Sequence, residues 1–125
     1  MTYTYVLTGP PPPLNNCFVN IPGKGRVKSH RYREWRRMSM WELTEQRLKH
    51  KARAITRKVA VSIQLPKATR GDVDGRVKGV LDALQDAGVI TNDSQCDPVS
   101  IGRADVAHTT ITIEPSAALA REAAE

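Results

Sequence analysis

Hydrophobic and polar positions alternate most clearly between Val59 and Leu65, where Val59, Val61, Ile63 and Leu65 are separated by Ala60, Ser62 and Gln64. That period of two predicts a half-buried strand, ended by Pro66, which lacks an amide donor. The period then changes. Val73, Val77, Val80, Leu81, Leu84 and Ala87 fall on roughly a third of a helix circumference, and Gly88 supplies the stop, so a helix follows. Thr2 to Thr8, rich in Thr, Tyr and Val and closed by Gly9-Pro10, predicts a further strand. Val99 to Ala104 and Thr109 to Glu114 are short alternating runs with a short link, which predicts an antiparallel hairpin closed by Pro115.

Two segments are less regular. Pro10 to Pro13 cannot extend a ladder, and the glycines and Pro22 beyond them predict a long loop reaching Ser29; stiff connector and docking motif are both readings of the prolines, the connector being the commoner. From Ser29, a candidate N-cap, to Arg53 the residues are good helix formers without a single apolar stripe. Met38, Trp41, Leu48 and Ala52 share one side, while Tyr32, Trp35 and Leu43 fall on another. The helix is expected to cover its own core on one side and to meet something else on the other. Tyr32 and Trp35 are then candidates for a subunit interface, the alternative being that Trp35 lies beneath the proline-rich loop of its own chain. The order of elements gives an α+β fold, a small mixed sheet of about four strands with two main helices packed on it. One domain over 1–115 and a tail over 116–125, with a frayed helical turn, are expected.

The 125 residues suit a single core, and charge adds direction, with 19 Lys and Arg against 13 Asp and Glu. Thirteen basic and three acidic residues lie between Lys24 and Lys58, whereas four basic and ten acidic lie between Asp72 and Glu125. A basic middle before an acidic half points to a polyanion partner, a solvated basic face being the alternative, and the phosphate contacts would come from Lys24, Arg26, Lys28, Arg31, Arg33, Arg36, Arg37, Lys67, Arg70 and Arg76. Cys17 and Cys96 belong to no paired-cysteine motif, which excludes a disulfide framework or a thiolate zinc site. With no long apolar run and no secretory signature, a soluble protein of a reducing cytoplasm, without a membrane partner, is expected.

The acidic half carries the candidate chemistry. Asp72 and Asp74 sit at a strand-to-helix junction and Asp93 follows the helix, so the three carboxylates can converge on a hard divalent cation, magnesium being the natural candidate. Lys78, one turn beyond Asp74, could reach a phosphate held by that ion. From spacing alone a plainer reading is preferred: Asp72 caps the helix, Lys78 pairs with Asp74 or Asp82, and Asp93 stabilises a turn. His30, His50 and His108 are too far apart to suggest a ligand set, and Gly23-Lys24-Gly25 reads as a turn rather than a phosphate loop.

The run from Arg70-Gly71-Asp72-Val73-Asp74-Gly75-Arg76-Val77-Lys78 through Leu81-Asp82-Ala83-Leu84 to Asn92-Asp93-Ser94-Gln95, with Gly9-Pro10-Pro11-Pro12 and Leu14-Asn15-Asn16 before it, resembles the RusA family of Holliday-junction resolvases. The resemblance implies a homodimeric endonuclease, often encoded by phages or prophages, that nicks four-way junction DNA symmetrically using Mg2+, with Mn2+ as its substitute and no organic cofactor. It implies Asp72, Asp74 and Asp93 as metal-binding carboxylates and Lys78 as the catalytic lysine, and it shifts the reading of the aspartates from capping to catalysis. Gly75 stands where the family usually has asparagine, and Cys96 where an aliphatic residue is usual. A noncatalytic junction- or duplex-binding protein with a decayed metal site is the alternative.

Overall fold

The computed structural model describes residues 2–13 and 16–116. The expected helical turn in the tail, and Leu14 and Asn15 of the resemblance, lie outside them. In chain order the elements are β1 (Tyr3–Leu7), β2 (Phe18–Ile21), β3 (Gly25–Lys28), α1 (His30–Lys49), β4 (Val59–Pro66), α2 (Val77–Asp86), β5 (Cys96–Ala104) and β6 (Thr109–Pro115), with single 3-10 turns at Asp74–Arg76 and Asp93–Gln95. Four strands form one mixed sheet in the order β1-β6-β4-β5, and β2 and β3 form a separate ribbon. The expected α+β architecture is present.

The strongest alternation takes the central place. Val59, Val61, Ile63 and Leu65 of β4 are all buried, as are Ile111 and Ile113 of β6 and Tyr5 and Leu7 of β1. Leu43 of α1 and Val80, Ala83, Leu84 and Ala87 of α2 join the same core, so both helices cover one face of the sheet. Gly88 ends α2 as expected, with φ +75 in the left-handed region that glycine adopts without a steric penalty.

Two expectations are corrected. β5 and β6 are not a hairpin: β4 lies between them, parallel to β5 and antiparallel to β6. Spanning two strand spacings takes about 10 Å, within reach of a four-residue link, and the inserted strand is the more apolar one. Part of the long loop before Ser29 is the β2–β3 ribbon, whose side chains are mostly exposed and therefore leave no alternating apolar signature. Ser116, the first residue assigned to the tail, is buried, its hydroxyl donating to the Asp97 carbonyl at 2.6 Å.

The inward face of α1 is also the reverse of the one marked by Trp41. Tyr32, Ser39 and Leu43 are buried, while Met38, Trp41 and Leu48 face solvent. The reason is the free edge of β1. Gln46 donates to the Val6 carbonyl at 2.8 Å and accepts from the Val6 amide at 2.7 Å; the Glu42 carboxylate accepts from the Thr8 amide and hydroxyl; His50 Nε2 lies 3.2 Å from the Thr4 carbonyl. Helix side chains thereby supply the partners that a fifth strand would have supplied, which blunts an edge open to aggregation. Trp35 lies on this side too, and its indole Nε1 donates to the Gly9 carbonyl at 3.2 Å. Tyr32 is thus buried within its own chain, and Trp35 packs against the segment that opens the proline-rich loop, the alternative given for it above.

This orientation has a direct test. Leu43→Ala should lower the unfolding free energy by about 2–5 kcal/mol, the usual range for a buried leucine, and Trp41→Ala should change it by no more than about 0.5 kcal/mol. Urea denaturation of both variants compares the two faces, and the reverse ranking would overturn the assignment.

Candidate functional site

Beyond β4 the chain makes a tight turn and reaches Gly71, whose φ of +83 calls for glycine, before Asp72 and the 3-10 turn that begins at Asp74. Two arginines fix this segment. Arg103, on β5, donates from Nε to the Thr69 carbonyl at 2.8 Å and from Nη2 to that of Gly71 at 2.7 Å. Arg76 donates from Nη2 to the Arg70 carbonyl at 2.7 Å and from Nε to that of Asp72 at 2.8 Å. Its remaining nitrogen, Nη1, donates to the Pro11 carbonyl of the proline-rich loop. Four consecutive carbonyls are held in alternation by two guanidinium groups.

Arg76 was expected at the DNA surface. It is instead 4% exposed, with donors on all three nitrogens directed to carbonyls, and is removed from the set of phosphate contacts. Burial lowers its pKa, Arg31 adds to that, and Asp72 opposes it. Arg103 carried no sign of a role in the sequence.

Asp72 is exposed, and its Oδ2 accepts from the Gly75 amide at 3.2 Å, a contact within the turn; the N-cap positions are Val73 for the 3-10 turn and Arg76 for α2, neither with a side-chain cap, so Asp72 is not the helix cap. Asp74 is exposed on the same turn, and its side chain makes no hydrogen bond among the described residues. Asp93 starts the second 3-10 turn, locked by Gln95. The Gln95 carbonyl oxygen accepts from the Thr91 amide and hydroxyl and from the Asn92 amide, while its Nε2 donates to the Ile55 and Arg57 carbonyls at 2.7 Å each. That network explains a glutamine at this position and sets the direction of Asp93.

Lys78 Nζ lies 3.0 Å from Asp82 Oδ1 and 3.4 Å from Asp93 Oδ2. The hydrogen bond and charge of Asp82, followed by those of Asp93, raise its pKa. Lys78 and Asp93 are therefore brought together, as are Asp72 and Asp74 by sequence. The full convergence expected of Asp72, Asp74 and Asp93 is not formed: among the described residues no three His, Cys, Asp or Glu side chains are grouped to hold a metal ion. The donors are nonetheless carboxylate oxygens, two of them exposed on one turn, which is the chemistry that magnesium takes. Cys96, behind Asp93, is pushed up to about 11 chiefly by burial, so its thiol stays protonated at neutral pH.

Arg31, Arg70 and Asp72 line a cleft of about 400 Å3, whose wall also includes Asn16 and Pro13. Lys24, Arg26 and Lys28 are exposed on the β2–β3 ribbon, with the Arg26 guanidinium 4.5 Å from the Phe18 ring centre. Arg33, Arg37 and Lys67 are exposed, whereas Arg36 is committed to an ion pair with Asp86 and a hydrogen bond to the Tyr32 hydroxyl. No helix is long and apolar enough to cross a membrane among the described residues.

The family model described as endodeoxyribonuclease RusA matches residues 8–114. The chain is also 34% identical over 86 residues to the crossover junction endodeoxyribonuclease RusA of Aquifex aeolicus (strain VF5), a match spanning 67% of this chain and 66% of that protein, just under two thirds of its length.

Two outcomes follow from the geometry. Arg76→Lys keeps the charge, but one ammonium cannot span three carbonyls, and the variant should lose roughly 2–4 kcal/mol of stability in urea titrations. For Lys78 the raised folded-state pKa lies above the ordinary 10.5. Its contribution is complete below that pH and is lost as pH rises through the folded value. The stability difference between wild type and Lys78→Met should stay constant from about pH 7 to 10 and close above it; a difference already closing at pH 8 would contradict the pairing.

Proposed function

The chain belongs to the RusA family of endodeoxyribonucleases, and on that premise we propose that it is a structure-selective endonuclease that hydrolyses phosphodiesters in four-way DNA junctions by paired nicks. The observation that carries this reading is the cleft lined by Asp72 together with Arg31 and Arg70. Cations draw a phosphate backbone to the place where the carboxylates stand, an arrangement of little use to a purely structural loop.

Asp72, Asp74 and Asp93 are proposed to hold Mg2+, or Mn2+ in its place, which when bound polarises a phosphoryl oxygen and activates water. The chain's own residues do the rest. Arg31 and Arg70 position the phosphate, Arg76 and Arg103 hold the backbone from which Asp72 projects, and the Lys78 ammonium stabilises charge developing on the scissile group. Lys24, Arg26, Lys28, Arg33, Arg37 and Lys67 extend the contact along the backbone. Two nicks in strands of like polarity call for two equivalent sites, which a two-fold homodimer provides. A bacterial cytoplasm, in a phage or prophage setting, fits such a role.

The ungrouped carboxylates favour one other reading, a junction-binding protein that does not cut. A synthetic four-way junction with and without Mg2+ separates the two. Paired cleavage in Mg2+, abolished by EDTA and by Asp74→Asn while that variant binds within a few fold of wild type, is the expected result. Binding without cleavage under every metal condition supports the alternative. Arg33→Ala should weaken all junction sequences alike and reduce the slope of log affinity against log salt by about one; an unchanged slope would remove Arg33 from the interface.

A further inference from the structure

The outward face of α1 is apolar where a surface helix is ordinarily polar. Trp41 is 73% exposed and Met38 50%, and with Met40 they line a groove of about 890 Å3. Its other walls carry Lys28 of β3 and Arg33, Arg36 and Arg37 of α1 against one acid, Asp86. Arg36 already neutralises Asp86, and Arg37 lies 2.8 Å from Glu34. Lys28 and Arg33 have no ion pair among the described residues.

An exposed indole in a cationic groove has the two properties that a single strand of nucleic acid needs, a flat surface for a base and positive charge for the backbone. A second copy of this chain is a poorer occupant. It would bring the same cations to the same place, in a protein of formal net charge +6, so association through this groove would set like charges against each other.

We propose that the groove takes an unstacked, single-stranded stretch of DNA, with Trp41 stacking on a base while Lys28, Arg33 and Arg37 follow the phosphates. The inference rests on the nucleic-acid reading above and deepens it. A continuous duplex hides the faces of its bases, whereas a branch point interrupts stacking, so Trp41 contributes selectivity for discontinuous DNA over plain duplex.

The test uses the intact chain in EDTA as wild type, Trp41→Ala and Trp41→Phe. Binding to an oligothymidine, to a duplex of the same length and to a four-way junction is measured by anisotropy, and assembly by sedimentation velocity. Trp41→Ala is expected to weaken oligothymidine and junction binding by about tenfold, Trp41→Phe by less than about threefold, and neither to change duplex affinity or sedimentation. An unchanged oligothymidine affinity, or an equal loss on duplex, overturns the proposal. So does dissociation of a wild-type dimer by Trp41→Ala, which would give the groove to a second copy. Junction cleavage by wild type in Mg2+ is read separately: its absence with single-strand binding intact refutes the nuclease reading and leaves the groove standing.

Discussion

Four successive peptide carbonyls, Thr69 to Asp72, accept hydrogen bonds from two arginines, and the candidate site depends on that arrangement. A loop leaving the end of a strand has no ladder to satisfy its backbone, and carbonyls left to water would let the segment sample many conformations. Arg103 reaches it from the neighbouring strand and Arg76 from the helix that follows, so the loop is tied on both sides. Because Arg76 also holds Pro11, the proline-rich segment and the Asp72 loop share one buried cation. The carbonyl dipoles compensate that charge without consuming a carboxylate, which leaves Asp72 and Asp74 free for other chemistry.

A second constraint sets the orientation of the long helix. Burial of apolar area would favour turning Met38, Trp41 and Leu48 inward, but the edge of β1 needs donors and acceptors at Thr4, Val6 and Thr8, and His50, Gln46 and Glu42 supply them. Unmet backbone groups at a partly buried edge cost about as much as an exposed methionine or leucine loses, and several are met at once. The polar demand wins, and the apolar face is left outside.

Those two constraints also explain what was legible in the sequence. β4 and α2 could be read because each presents one apolar face to the core, so their periodicity survives in the residue pattern. Spacing alone puts Asp72 and Asp74 at the junction between these elements and allows the pairing of Lys78 with Asp82, but not the separation of Asp93 from the other two, which is set by the fold. The face of α1 could not, since its inward stripe of Tyr32, Trp35, Ser39, Leu43, Gln46 and His50 is half polar. Nor could Arg76, because an arginine buried against carbonyls looks in sequence like one facing solvent. The β5–β6 hairpin failed for a topological reason: nearness along the chain favours pairing, but the most apolar strand claims the centre of the sheet. Gln95 was visible as part of the motif, yet its two hydrogen bonds to the distant Ile55 and Arg57 carbonyls appear only in three dimensions.

The charge on α1 remains to be explained by something other than stability. The N-terminus of a helix carries partial positive charge and favours acidic side chains, cations there costing a few tenths to about 1 kcal/mol each. α1 has no acidic residue in its first turn and places Arg31 and Arg33 there instead. The capping by Ser29, whose hydroxyl accepts from the Tyr32 amide at 3.1 Å, offsets part of that cost but does not require cations. Arg31 lines the cleft beside Asp72, and Arg33 lines the groove beside Trp41, two positions on from it and so well around the helix. The unfavourable end of the helix therefore serves both surfaces at once. A polyanion running from cleft to groove would see the aligned amides and the arginines as one positive field, and the arrangement that weakens the isolated helix becomes favourable when phosphate is present.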